Sequence, residues 1–268
     1  MNRFQKLFSA LLFLSLTIQS FALPLAARES GDGWPTYGGD PGGQRYSAAA
    51  QITRANVARL HPVWTYHTHA LESGMLAVSR SDFEATPILF GETLYLTTPF
   101  DRIIALDPAT GAERWTFDPH LAPDLLAANY TSRGVATWQE QGPAGHGSPC
   151  AARIFVATLD ARLIAVDAAT GAPCTAFGKQ GTIDLKAGIA ANPDKPFAFY
   201  GNTSPATVVG DVVVVGSAVA DNTAVNVESG AVRGFDARSG RQLCRRTGRA
   251  HRPEGLGIPG GPPRRVGL

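Results

Sequence analysis

At 268 residues the chain is long enough for one large domain or two small ones. Its 44% hydrophobic against 17% charged residues support a sizeable core and exclude wholesale disorder. A net charge of +2 gives no case for a nucleic-acid partner, since much of the basic excess sits in the last 24 residues.

Taken in order, the chain opens with the layout of a secretory signal. Arg3 and Lys6 form a basic start, Leu7 to Ile18 an apolar run, and Ser20-Phe21-Ala22 a small-residue cleavage pattern. The run is shorter than the ~20 apolar residues that cross a bilayer, so residues 1–22 are expected to be a signal peptide and 23–32 a linker. No later stretch is apolar for long enough to span a membrane. The mature chain is expected to be soluble and periplasmic, a short membrane anchor being the alternative.

Residues 33–40, Gly-Trp-Pro-Thr-Tyr-Gly-Gly-Asp, read as an irregular segment packed over other elements. A short helix is expected over Asn56–Leu60 and a strand over Pro62–His67. His61, His67 and His69 have a spacing that fits no compact metal site and read as surface histidines. Phe83–Leu89, Thr93–Thr98, Arg102–Asp107 and Arg114–Phe117 read as four short strands. Ile154–Thr158, Leu163–Asp167 and Thr175–Phe177 repeat the pattern. Thr207–Val209, Val212–Gly216, Val232–Asp236 and a strand from Gln242 repeat it again.

One motif recurs in each repeat: Asp107-Pro-Ala-Thr-Gly111, Asp167-Ala-Ala-Thr-Gly171 and Asp236-Ala-Arg-Ser-Gly240, 60 and 69 residues apart. The Asp side chain can accept from backbone N–H groups across a turn, and the Gly can take the positive φ that ends it. Recurrence at this scale predicts an array of four-stranded blades, about three of them, over residues 33–244. The segments Leu121–Ala152 and Thr182–Thr203 are too long for blade turns and are expected to gather on one face, where a ligand site can form. Cys150 and Cys174 lie at the ends of two strands joined by a hairpin, so a disulfide between them is geometrically sensible. Cys244 is left over.

Together these residues resemble the quinoprotein alcohol and sugar dehydrogenases, which use pyrroloquinoline quinone (PQQ), with the glucose/quinate/shikimate branch closest in flavour. The likeness rests on Trp34 to Asp40, Glu84-Ala85-Thr86-Pro87, the Asp-x-x-Thr-Gly-x-x-x-Trp motif ending at Trp115, and Ser132-Arg133-Gly134-Val135. Thr203-Ser204-Pro205, the stretch from Gly216 to Asn222 and Ser229 to Asp236 complete it. It covers roughly residues 32–243, and the order and spacing of the motifs carry it.

The resemblance implies an all-β fold, a partial β-propeller of about three blades from a family propeller of eight, with PQQ near the axis over a Ca²⁺ ion. Arg133 matches the arginine that holds a cofactor carboxylate, a task for which a guanidinium fork is suited. Glu84 matches the acidic residue that bonds the cofactor, Thr203 a hydroxyl donor, and Ala218 a further cofactor contact. Asp221, with Asn222, falls where the family places oxygen ligands for Ca²⁺. Read singly, each has an ordinary alternative: Glu84 a strand-end cap, Arg133 a surface pair with Glu140 or Asp124, Asp221-Asn222 a turn. Sugar-oxidising members carry His where Phe100 stands, which speaks against glucose and leaves the alcohol open.

The resemblance also places the catalytic Asp base in a later blade, so no catalytic residue is assigned here. The last 24 residues hold six Arg, six Gly and four Pro and no strand pattern, and Cys244 stands where the first repeat has Trp115. A frameshift explains both, and a basic tail is the alternative. The polypeptide is therefore expected to be an N-terminal fragment of a periplasmic dehydrogenase acting on an alcohol, polyol or sugar with a quinone or cytochrome as acceptor. It is expected to be inactive and of low stability by itself. The competing reading is a non-enzymatic PQQ-repeat propeller serving as a binding or envelope-assembly scaffold.

Overall fold

The structure, a computed structural model, describes residues 33–40, 42–75, 78–125, 127, 130–141, 147–191, 200–221 and 227–247. The expected signal peptide and linker, Asn222 and residues 248–268 lie outside them. Residues 48–51 fall outside the unit that holds the strands and are exposed and irregular. The strand-bearing unit begins at Gly33 and holds all the strands among the described residues.

That unit is all-β: a partial propeller of three four-stranded antiparallel sheets whose ring is not closed. Blade 1 is β1 (Ile88–Phe90), β2 (Thr93–Thr97), β3 (Ile103–Leu106) and β4 (Glu113–Phe117). Blade 2 is β5 (Ala136–Gln139), β6 (Ala152–Ala157), β7 (Arg162–Asp167) and β8 (Thr182–Asp184). A two-stranded ribbon pairs β9 (Tyr200–Gly201) with β12 (Ala218–Val219). Blade 3 is β10 (Thr207–Val209), β11 (Val212–Val215), β13 (Ala231–Asp236) and β14 (Gln242–Thr247). The helical content of the described residues is three 3-10 turns, one of them at Val57–Arg59 inside the span expected to be helical.

The central strands are apolar on both faces because each blade is sandwiched. In β6, Ile154 and Val156 face blade 1 with Ile103, Ala105 and Tyr95, whereas Phe155 and Ala157 face blade 3 with Val213, Ala231 and Phe235. Side chains alternate along a strand, so a run of buried residues fills two interfaces at once. Each of the Ile, Val and Phe side chains among them contributes about 1.5–3 kcal/mol by leaving water.

The three recurrent turns form as the motif predicts. In each, Asp Oδ1 accepts from the N–H groups two and three residues on and from the Thr or Ser hydroxyl. The closing glycines have φ of +72°, +73° and +71°. Trp115 lies over the next blade's turn: its Nε1 donates to Ala168 O (3.1 Å), and a Cβ on Gly171 would meet its ring at 2.6 Å. The Cys150–Cys174 disulfide is present, with a Cα–Cα distance of 5.7 Å, and Cys244 is free and exposed.

Several expected strands differ. Pro62–His67 is not a strand; Trp64 donates to Pro108 O (3.2 Å) and covers Gly111, doing for blade 1 what Trp115 does for blade 2. Thr175–Phe177 is a turn. The chain bridges Val166 to Pro173, loops out through Cys174 and resumes pairing as β8. Strand β5, inside a segment read as loop, is only four residues long. Of Phe83–Leu89 only Ile88 and Leu89 are in β1, because Pro87 lacks an N–H and the Thr86 N–H goes to Arg133 O (3.2 Å). At the other end, β14 runs on to Thr247, three residues past the point where the sequence loses its pattern.

Candidate functional site

Antiparallel order puts the start of each blade's first strand and the turn between its second and third strands at one end of the sheet. The Asp-x-x-Thr/Ser-Gly turns lie at the other end. The segments before β1, β5 and β10 therefore share an end, and they carry Glu84, Arg133 and Thr203.

These three meet. Arg133 Nη2 pairs with Glu84 Oε2 at 2.7 Å, and Arg133 Nη1 donates to Thr203 Oγ1 at 2.8 Å. The backbone repeats the link: Thr86 N–H donates to Arg133 O (3.2 Å) and Arg133 N–H to Thr203 O (3.0 Å). Glu140, one alternative partner for Arg133, instead accepts from Arg238 (3.0 Å). The Arg133 and Glu84 side chains are 30% and 40% exposed, so the cluster is knitted at its base and open at its tips.

Arg133 also lines a cavity of about 460 Å³ with Tyr37, Val135, Pro205 and Val208. A planar tricarboxylate such as PQQ needs guanidinium N–H groups for a carboxylate and an apolar wall for its rings. Arg133 has five N–H groups, not all of them spent on Glu84 and Thr203. The donor set fits one carboxylate of such a ligand.

The remaining expected site residues are less gathered. Ala218, exposed, is held opposite Gly201, two residues before Thr203. Asp221 is exposed in a turn, and its expected companion Asn222 lies outside the described residues. Among the described residues no three His, Cys, Asp or Glu side chains form a group that could hold a metal. His69 pairs with Glu72 at 3.2 Å on the surface. Phe100 is buried against Met75, Tyr130 and Leu159 and serves as core.

Asp101, in the loop singled out for its neighbour Phe100, is the polar residue that sequence reasoning missed. It is fully buried, with left-handed backbone (φ +63°), at the turn between β2 and β3. Its Oδ2 accepts from Leu159 N–H at 2.7 Å, and its Oδ1 has no hydrogen-bond partner. Burial pushes its carboxyl up to about 8, against the pull of the Leu159 N–H and the nearby Ser132 hydroxyl. The signal was an acid at a hairpin position where blade 2 has Ala161.

No helix among the described residues is long and apolar enough to cross a membrane. The family described as the PQQ-type glucose/ethanol/alcohol dehydrogenase β-propeller domain matches residues 34–246. Quinoprotein glucose dehydrogenase A of Acinetobacter calcoaceticus is 35% identical over 223 residues, 78% of this chain and 27% of the relative. The glycerol dehydrogenase large subunit of Gluconobacter oxydans (strain 621H) is 37% identical over 219 residues, 81% of this chain and 28% of the relative. Among solved structures, the quinohemoprotein alcohol dehydrogenase from Comamonas testosteroni superposes with a TM-score of 0.62 at 26% identity, over 80% of this chain and 27% of that one. The chain spans about a quarter of the length of the relatives it matches. With the family pattern over residues 34–246 and relatives above 30% identity along more than three quarters of its length, the chain belongs to the β-propeller domain family of the PQQ-dependent glucose, ethanol and alcohol dehydrogenases.

Proposed function

We propose that this chain supplies part of the cofactor cradle of a periplasmic quinoprotein dehydrogenase that oxidises an alcohol, polyol or sugar and passes the electrons to a quinone or cytochrome. The observation that carries the reading is the convergence of Glu84, Arg133 and Thr203 from equivalent places in three blades.

In this reading Arg133 holds a cofactor carboxylate through its free N–H groups, and Thr203 and Glu84 fix the plane of its guanidinium. Glu84, about two-fifths exposed, is placed to bond the cofactor in turn, and Ala218 leaves room beside the ribbon for a flat ring. Asp221 offers an oxygen to Ca²⁺, which takes six to eight such ligands, so other donors must join it. When bound, PQQ with a Lewis-acidic cation would supply the two-electron acceptor chemistry for the substrate C–H bond. Phe100 stands where sugar-oxidising members carry His, and in this reading that difference argues against glucose and leaves the alcohol open.

The test is equilibrium binding of PQQ to the purified chain, followed by quenching of tryptophan fluorescence. Arg133→Ala should weaken binding roughly tenfold or more, the worth of a charge-assisted hydrogen bond, and Arg133→Lys should restore only part of it. Equal binding by wild type and Arg133→Ala would sink the cofactor reading and favour a non-enzymatic repeat scaffold.

A further inference from the structure

Blades 1 and 2 build the same hairpin between their second and third strands. Thr98 N–H donates to Arg102 O and Asp101 N–H to Thr98 O; Thr158 N–H donates to Arg162 O and Ala161 N–H to Thr158 O, all at 2.9 to 3.0 Å. The equivalent residues Asp101 and Ala161 have φ of +63° and +67° and are both fully buried. Alanine therefore suffices for the turn. The carboxyl of Asp101 is surplus to it, in a place where a polar group is costly unless it is bonded.

The contacts of that carboxyl run toward the site. It takes the N–H of Leu159 in the blade 2 hairpin at 2.7 Å. The neighbouring Thr158 O accepts from Asn202 N–H (3.0 Å), and Asn202 immediately precedes Thr203. Gly201 lets the ribbon press on this hairpin: a Cβ there would collide with Leu159 O. The Asp101 carboxyl also lies near the hydroxyl of buried Ser132, which immediately precedes Arg133.

We propose that Asp101 is a positioning residue for the Arg133–Thr203 pair, tying the blade 1 hairpin to the blade 2 hairpin so that Ser132 and Asn202 hold their neighbours in register. This rests on the cofactor reading only for what the pair binds; the tie itself does not depend on it. The charged groups that act on Asp101 are Asp160 and Arg162 from the blade 2 hairpin, while Arg102 and Arg133 follow Asp101 and Ser132 in the chain. Asp160 raises its carboxyl further and Arg162 lowers it, and burial outweighs both.

A carboxyl raised from an unfolded value near ~4 to about 8 holds its proton in the folded state. Its contribution is then complete below the unfolded value and is lost progressively as pH rises through that window. Asp101→Asn keeps an acceptor for Leu159 without titrating, and Asp101→Ala copies Ala161. The experiment measures unfolding midpoints of the three proteins from pH 5 to 8.5, and PQQ affinity at pH 7. The midpoint of wild type should fall relative to Asp101→Asn as pH rises. Asp101→Ala should fold yet bind PQQ roughly tenfold or more weakly, with Asp101→Asn near wild type. Parallel midpoints for wild type and Asp101→Asn, or undiminished PQQ affinity in Asp101→Ala, overturn the proposal. Should wild type fail to bind PQQ, the cofactor reading fails, and the midpoint comparison still decides whether the Asp101 tie exists.

Discussion

Asp107 and Asp101 sit six residues apart and their carboxyls are driven in opposite directions. Asp107, at the exposed recurrent turn, is held down to about 2, first by Arg114 (2.8 Å) and then by the Thr110 N–H and hydroxyl. Its contribution to stability is therefore present above its unfolded value near ~4 and lost as pH falls through about 2. Asp107→Asn should be less stable than wild type at pH 7, and the gap should close between pH 4 and 2, as read by urea unfolding. An unchanged gap at pH 2 would mean that the ion pair is not its source. The two roles were unequally legible. Asp107 could be assigned because its turn chemistry lies within five residues, whereas the setting of Asp101 is made by Leu159 and Ser132, 58 and 31 residues away.

At the scale of elements, the turn glycines carry the docking of one blade on the next. Gly171 combines φ +73° with the Trp115 ring at 2.6 Å from where a Cβ would stand. Gly171→Ala should cost about 2–4 kcal/mol, the sum of left-handed strain and overpacking. Gly210→Ala, at φ +57° with open space around it, should cost only about 1–2 kcal/mol. Thermal unfolding of the two variants compares them, and equal losses would show that the tryptophan contact adds nothing. Strands of five or six residues rich in β-branched and aromatic side chains, such as β2, β6 and β13, were readable from sequence. The three- and four-residue strands β8 and β5 were not, because their pairing depends on where a looped chain returns to the sheet. Trp64 looked like part of a strand because its partner, Gly111, is 47 residues on.

At the scale of the molecule, each blade's outer face is buried by the next until blade 3. The rows Ile88–Tyr95–Ala105 in blade 1 and Ala136–Phe155–Ala165 in blade 2 are covered. The matching row of blade 3 runs through Val214, Gly234 and Cys244, beside Val209 and Val232, which are 64% and 51% exposed. Among the described residues nothing covers it. Val232→Lys should leave stability within about 0.5 kcal/mol of wild type, as an exposed position allows. The same change should reduce binding of a dye for apolar surface, and strong dye binding unaltered by it would place the open surface elsewhere.

The sequence alone determined the blade count, the three Asp-x-x-Thr/Ser-Gly turns, the disulfide and the family. Each of these rests on residues close in the chain or on a pattern repeated along it. Tertiary structure decided which of the site residues stand together. Glu84, Arg133 and Thr203 are separated by 49 and 70 residues, and only the stacking of three blades with their first strands in parallel brings a carboxylate and a hydroxyl within 2.8 Å of one guanidinium. The same stacking buried Asp101, because a side chain's dielectric surroundings are set by whatever packs over it and not by its neighbours in the chain.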